Sequence, residues 1–401
     1  MQSKTYDVIA IGGGLGGSAI AHGMAKSGAS VLVLEAEQDY KDRVHGELLT
    51  PWGVAEAKEL GVFDAIMEGG GHELPWWNIY IYDDMVEHRD LSSTTRQLLP
   101  NVSYFHPDMQ EAMVQSAKDA GADVLRGARV VRMTNNGTLR VVVSVKGVET
   151  EYITRLVVGA DGRASMSRKW GGFHVNEGLE QNMICGVMFE NMAFPDDASH
   201  IWQIPSLGLF APVFPQGNGK ARSYLVYPAT WPFRLSGKDS VQEFINYVTD
   251  MGEPLAYYYK AEPIGPMATW SGTRLWVDHP YQKGVALIGS AACTSDPSWG
   301  QGMALALRDA RVLRDHLLKN DDWDVAGHAY AQEHDRYSAV NKEVEIWMNQ
   351  LHLGVGPEAE AIREQAMPKW KVQPPRAADV LFSGPDLELT EEVRNEFFNL
   401  V

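Results

Sequence analysis

Cysteine is nearly missing from this chain of 401 residues: Cys185 and Cys293 are the two it has. Two thiols cannot build a disulfide framework or a cysteine-rich metal site. Long apolar runs are missing as well. No stretch reaches the ~18 residues a membrane helix needs, and the first apolar strand begins at Tyr6, which leaves no room for a signal peptide. Positive charge is scarce: 35 Lys and Arg stand against 52 Asp and Glu, a net charge of −17. That balance argues against a nucleic-acid partner and against an anionic membrane surface. There is no internal repeat and no low-complexity tract. A cytoplasmic protein of one to three domains is expected. Its 45% hydrophobic residues suffice for a sizeable core.

Glycine, by contrast, is plentiful, and its densest cluster lies near the start. Tyr6 to Ile11 reads as a buried strand. Gly12-Gly13-Gly14-Leu15-Gly16-Gly17 follows. Leu15 to Ser27 reads as a helix stopped by Gly28, and Ser30 to Leu34 as a second strand closed by Glu35. A strand, glycine turn, helix and strand, with an acid about 20 residues on, is the pattern that cradles a dinucleotide. Gly12 permits the tight turn. Gly14 lets the backbone approach a pyrophosphate, and Gly17 lets the helix pack close to the strand. The helix N-terminus offers free N–H groups to phosphate. Glu35 can accept from both ribose hydroxyls of an adenosine and repels a 2′-phosphate, so the expected ligand is FAD or NAD rather than NADP.

Residues 36–50 are polar and irregular and hold Arg43, His45 and Glu47. Pro51-Trp52-Gly53 opens a helix over 54–60. Strands are expected over 76–82 and 85–90, and a helix over 108–120 with Asp108 as its N-cap. Strands over 123–133, 138–145 and 149–153 form a meander, with Asn135-Asn136-Gly137 as its hairpin turn. A plain NAD dehydrogenase would continue βα units here instead.

Leu156 to Ala160 is a further buried strand, and it ends in Asp161-Gly162-Arg163. An aspartate at a strand end, followed by glycine and spaced cations, suits ribityl hydroxyls and phosphates. It equally suits a capped turn that starts a helix. Residues 181–260 change character, with many aromatics and short strands over 183–189, 201–204, 209–213 and 223–227. A hairpin end at 215–219 and a helix over 240–250 complete them. Gly284 to Ala292 is another buried strand, followed by the loop Cys293 to Gly302 and a helix from Met303 to about Lys319. That loop brings backbone N–H groups to a helix N-terminus, where they can hold an anion or a developing negative charge. Beyond Asn320 the chain is helical and charged, interrupted by five prolines from Pro357 to Pro385. The expected architecture is α/β. A discontinuous Rossmann-like nucleotide-binding domain takes 1–178 and 266–320, an inserted β-sheet substrate domain 179–265, and a helical C-terminal segment 321–401.

Three separated stretches together resemble one family, the single-component FAD-dependent monooxygenases of the p-hydroxybenzoate hydroxylase type. They are Gly12 to Gly17, Gly159-Ala160-Asp161-Gly162-Arg163, and Gly289-Ser290 with Pro297…Gly300-Gln301-Gly302. The resemblance spans residues 1 to about 320. It implies FAD as cofactor and NAD(P)H as transient electron donor. It sets Gly12, Gly14, Leu15, Gly16 and Gly17 at the FAD pyrophosphate, Glu35 and Ala36 at the adenosine ribose, and Val130 at the adenine. His106 is implied near the ribityl chain, and Asp161 and Gly162 near the pyrophosphate. Pro297, Gly300, Gln301, Gly302 and Met303 are implied beside the isoalloxazine ring, with Pro297, Trp299, Gly300 and Gln301 as the catalytic wall. Two positions depart from the family. Ser290 replaces an aspartate that binds a ribityl hydroxyl. Where the family has an arginine facing the flavin, the candidates are Arg43 and His45, and the register favours His45. Uncompensated, each change weakens FAD binding by about 1–3 kcal/mol.

The chemistry implied by the resemblance is reduction of FAD by NAD(P)H, addition of O2 at the flavin C4a as a hydroperoxide, and transfer of its terminal oxygen. The acceptor would be an aromatic or polycyclic small molecule, hydroxylated or epoxidised by a monomer or homodimer. Trp202, Phe210, Tyr224 and Tyr227 are read as substrate-pocket walls or as ordinary sheet core. No general base stands out. The remaining histidines, His352 among them, lack the spacing of metal ligands, so no metal is expected. Rival activities on the same fold are a flavin-dependent halogenase and a polyprenyl reductase. A non-catalytic FAD-binding protein is the further alternative that Ser290 and His45 suggest. The halogenase segment Trp-x-Trp-x-Ile-Pro is absent, and the chain reads Trp76-Trp77-Asn78-Ile79 instead.

Overall fold

The computed structural model describes residues 4–400. Its first sheet is organised on strand Lys4–Ile11, which is buried on both faces. Val8 and Ala10 enter one apolar core and Ile9 and Ile11 another, as the two-residue alternation of a strand requires. Val31–Glu35 and Val148–Gly159 flank it in parallel, with Asp123–Arg126 and Val285–Leu287 outside them. Helices Leu15–Lys26, His106–Asp119 and Gly302–Lys319 pack on one face. The antiparallel strands Ala128–Asn135 and Leu139–Val145 fold over the other. Their hairpin forms at the expected turn, where Gly137 takes the positive φ of 81°.

Several expected boundaries move, each for a local reason. The strand expected over 123–133 is two, because Gly127 at φ 61° turns the chain between them. The strands expected over 149–153 and 156–160 are one, Val148–Gly159. Its first part pairs antiparallel with the meander and its second part parallel with Lys4–Ile11. Asp108 is not an N-cap: the helix starts at His106, and Glu47 from a distant loop accepts the His106 N–H at 3.0 Å. Asp108 falls in the first turn, where its charge suits the helix dipole. The helix expected at 54 begins at Pro51, a first position that needs no N–H.

The second sheet runs Glu262–Ser271, Asn182–Glu190, Ala221–Pro228, Leu209–Pro215, Ala198–Ile204, Trp76–Ile81 and Asp84–Asp90. Its last two strands come from well before residue 179, and Glu262–Ser271 crosses residue 265. The sheet is therefore built by two excursions of the chain, joined where Ala198–Ile204 pairs in parallel with Trp76–Ile81. One face packs on helix Val241–Asp250. The other turns toward the first sheet and the C-terminal helices. Helix Trp323–Met348 connects the two cores, with Tyr330 and Tyr337 in the first and Val344 and Trp347 in the second. A π turn, Asn349–Leu353, and helices Pro357–Trp370 and Glu391–Phe398 follow. Among the described residues no helix is long and apolar enough to cross a membrane.

His200 lies on the Val241–Asp250 side of the second sheet, 3% exposed, in ring contact with Tyr80, Trp202 and Phe194. Burial pushes its pKa down to about 4. A histidine whose folded pKa lies below its unfolded value of about 6.5 contributes stability above that value and loses it as pH falls. At pH 5 the unfolded chain is protonated there and the folded chain is not, a cost of about 2 kcal/mol. In urea titrations His200→Phe should therefore lose about 2 kcal/mol less stability than the parent between pH 7 and pH 5. Parallel losses in the two proteins would refute a neutral buried His200.

Candidate active site

Four of the five parallel strands of the first sheet end at one cleft. It is lined by Gly12 and Gly14 after the first strand and by Glu35, Ala36 and Glu37 after the second. Ala160 to Arg163 and Ile288 to Ser290 line it at the two other strand ends. Ligands bind such sheets at the carboxyl ends of the strands. The cleft continues between the two sheets and beneath the C-terminal helices, with a volume of about 1440 Å³. A single small-molecule site measures about 300–1,000 Å³, so there is room here for a dinucleotide and a second molecule.

The glycine end is a cradle. Gly12 has φ 105°, and a Cβ there would lie 2.4 Å from the Ala160 carbonyl oxygen. Gly14 caps helix Leu15–Lys26 without a side-chain bond, so the first-turn N–H groups are free. Gly14, Leu15 and Gly16 line the cleft. Gly17 does not: a Cβ on it would lie 1.9 Å from the Gly12 carbonyl oxygen. Its close approach to Gly12 serves the packing of helix against turn. Glu35 accepts the Gly13 N–H at 2.7 Å and the Glu37 N–H at 2.8 Å. It thus braces the turn and keeps further lone pairs for a ribose. Ala36 and Val130 line the same end. An adenosine diphosphate moiety fits this end.

Midway, Asp161 caps a helix at the edge of the cleft. The residue lines the cleft, yet its carboxylate accepts from Ser165 Oγ and from the Met166 and Ser167 N–H groups, which starts helix Met166–Gly171. Its side chain is committed to capping, so Gly162 and the backbone face the ligand space. Arg43 and His45 both border the cleft. Arg43 pairs with Glu37 at 2.6 Å, while the His45 ring meets His106 at 5.0 Å. Both rings border the cleft. Burial, with His45 alongside, pushes the His106 pKa down to about 3; burial, with Arg43 nearby, lowers that of His45. Two neutral rings therefore stand beside the Arg43 guanidinium at this edge of the cleft. Ser290 lines the cleft on a turn whose Gly289 N–H donates to the buried Asp309 carboxylate at 2.7 Å.

The loop from Pro297 to Met303 forms one wall along its whole length. Trp299 is held by a 2.8 Å bond from its Nε1 to Asn349 Oδ1 and packs on Phe210. Gln301 lies in this wall with its side chain turned into the core. Its amide accepts from Trp52 Nε1 and donates to the Trp299 and Leu381 carbonyls. The side chain is a fully satisfied core element with 0% exposure, and only its backbone is left to act in the cleft. Pro297, Gly300, Gly302 and Met303 border the space directly.

Beyond this loop lies a chamber of aromatic side chains. Phe210 and Tyr224 line it, as expected, with Trp77, Trp270, Trp370 and Phe382. Trp202 and Tyr227 do not. Strand alternation sends them to the opposite face, where Trp202 stacks on Tyr80 and Tyr227 on Trp231. Sequence reasoning passed over two pairs. Arg222 and Glu47 join the sheets at 2.9 Å. A lone arginine inside the apolar strand Ala221–Pro228 was a usable signal. Gln203 and His352 meet at the chamber wall, their ring-to-amide distance 3.3 Å. They are far apart in sequence and no local pattern marks them.

A family model described as FAD binding domain matches residues 5–347. Menaquinone reductase of Mycobacterium tuberculosis H37Rv is 26% identical over 345 residues, covering 79% of this chain and 77% of that protein. The 3-demethoxyubiquinol 3-hydroxylase of Escherichia coli K12 is 26% identical over 349 residues, covering 82% and 84%. Among solved structures, the flavin-dependent brominase Bmp2 superimposes with a TM-score of 0.77 at 16% identity, covering 99% of each chain.

Gly14 and Gly17 of the turn should separate by experiment. Gly17→Ala should lose about 1–3 kcal/mol or more from overpacking, seen as a lower unfolding temperature. Gly14→Ala has open space, with Gln110 Nε2 its nearest neighbour at 3.7 Å. It should keep its unfolding temperature without FAD and lose about tenfold in FAD affinity, about 1.4 kcal/mol, read by flavin fluorescence. Equal stability loss in both variants would contradict the assignment.

Proposed function

Because this chain belongs to the FAD binding domain family and is an enzyme of the FAD-dependent monooxygenase kind, we propose that it oxygenates an aromatic or similarly conjugated small molecule. NAD(P)H is the electron donor in this reading. The observation that carries it is the continuity of the cleft. One space runs from the glycine cradle, past the Pro297 to Met303 loop, into an aromatic-lined chamber.

Bound FAD supplies the redox chemistry that activates dioxygen. The chain supplies orientation, polarity and water exclusion. The first-turn N–H groups of helix Gly302–Lys319, which has no side-chain cap, are offered in this reading to the negative charge that develops. Trp299 closes the wall between cofactor end and chamber. Phe210, Tyr224 and Trp270 offer flat apolar surfaces to a planar substrate, and the apolar lining keeps water from the reacting centre. His45 and His106, both neutral, supply hydrogen bonds without adding a fixed charge.

Reduction of a polyprenyl quinone is the second reading, favoured by the menaquinone reductase relative. One experiment separates them. The FAD-loaded protein is mixed anaerobically with NADH or NADPH, and the flavin band near ~450 nm is followed. Bleaching that an aromatic compound accelerates, followed by oxygenated product only after O2 is admitted, is the expected result. Reoxidation of the flavin by a prenylated quinone without O2 would favour the reductase. No bleaching by either nicotinamide with FAD bound would overturn NAD(P)H-dependent oxygenation.

A further inference from the structure

We propose that His352 orients the substrate: its Nε2 accepts a hydrogen bond from a hydroxyl group on the aromatic ring and thereby fixes which ring edge faces the Pro297 to Met303 loop. The inference deepens the oxygenase reading above and rests on it for the identity of the bound molecule as substrate.

Four histidines among the described residues have a buried ring nitrogen with no partner: His22, His200, His334 and His352. Of these, His352 alone lines the cleft. It is 7% exposed, and a buried polar atom left unpaired is costly unless something fills the place. Its position is built rather than incidental. It sits in the π turn Asn349–Leu353, an insertion that interrupts helical hydrogen bonding and recurs at functional sites. Arg363 donates to the Leu351 and Gly354 carbonyls and so secures that turn. The ring stands between Trp299, 5.9 Å away on the loop, and Trp370, 5.4 Å away on helix Pro357–Trp370.

The tautomer is set from behind. Gln203 Oε1 lies 3.3 Å from His352 Nδ1. An amide oxygen can only accept, so the ring proton sits on Nδ1 and Nε2 carries a free lone pair. Burial, with the Arg363 charge nearby, pushes the ring pKa down to about 4, so the imidazole is neutral at pH 7. Strand Ala198–Ile204 directs Gln203 to the chamber, because it shares a face with Ile201 and not with Trp202. A neutral acceptor at the wall of an aromatic chamber suits a planar molecule with one donor hydroxyl: Phe210, Tyr224 and Trp270 border the space for the ring, and His352 takes the O–H. A guest without a donor leaves Nε2 unpaired, and a site of that kind discriminates strongly against it.

The test uses the FAD-loaded full chain without nicotinamide, so it does not depend on turnover. Binding of 1-naphthol is compared with that of 1-methoxynaphthalene, which has the same ring and no donor. The parent should prefer 1-naphthol by about tenfold. In His352→Phe, which keeps a ring between the two tryptophans, that preference should vanish. In parallel, nitrogen-15 spectra of histidine-labelled protein, with the His352 signal assigned by its loss in His352→Phe, should show the Nδ1–H tautomer. Gln203→Leu should shift it toward the other. An Nε2–H tautomer in the parent, equal or absent binding of the two probes, or a preference that survives in His352→Phe overturns the proposal. Failure of the oxygenase reading would show in the anaerobic reduction experiment, whichever way the binding test falls.

Discussion

The Glu47 carboxylate and the Arg222 guanidinium meet at 2.9 Å with neither side chain exposed to solvent. This pair fixes the geometry on which the cleft depends. Arg222 belongs to the second sheet and also reaches Asp42 at 2.9 Å, while Glu47 accepts the first N–H of helix His106–Asp119 and the Gln216 amide. Burial disfavours the arginine charge, but the two carboxylates outweigh it and hold the Arg222 pKa above its ordinary value. A buried pair contributes little as a net attraction, yet breaking it leaves an uncompensated charge, at about 3–5 kcal/mol. The consequence is specificity of position. The loop carrying His45 cannot move without stranding Arg222, and Val44 is held there at φ 56°, a strained value for a β-branched residue.

The facing wall has a similar anchor. Glu345, on helix Trp323–Met348, is fully buried and pairs with Arg274, and it accepts the Asp296 N–H at 3.0 Å. Asn349 one turn later donates to Asp296 and accepts from Trp299. The loop that walls the cofactor space thus takes its shape from the C-terminal helix. The tail beyond residue 320 is accordingly part of the site, and its π turn brings His352 to the chamber.

The two departures from the family pattern gain a physical setting here. Ser290 provides a neutral group at the last strand end, and the turn itself is held by Asp309, which also accepts from Tyr337 at 2.5 Å. His45 and His106 form a neutral pair, and the fixed positive charge beside them at this edge is that of Arg43. Aromatic faces line the chamber, and Arg89, Lys371 and Asp379 border the same space.

The sequence by itself determined the nucleotide end of the site. Gly12, Gly14, Glu35 and the strand–turn–helix around them act through backbone geometry within one short stretch, and local geometry is written in local residues. The α/β class, the meander turn and the loop from Pro297 to Gly302 were legible for the same reason. The substrate side was not. Which of Trp202, Phe210, Tyr224 and Tyr227 faced the chamber depended on sheet register, and a strand apolar on both faces does not reveal it. The second sheet recruits Trp76–Asp90 through a parallel pairing that spans more than a hundred residues of chain. The Gln301 amide is held by Trp52 and Leu381, both far away in sequence. Arg222 with Glu47, and Gln203 with His352, exist as pairs only after folding, because hydrogen bonds and charges act over a few ångströms of space and have no periodicity along the chain.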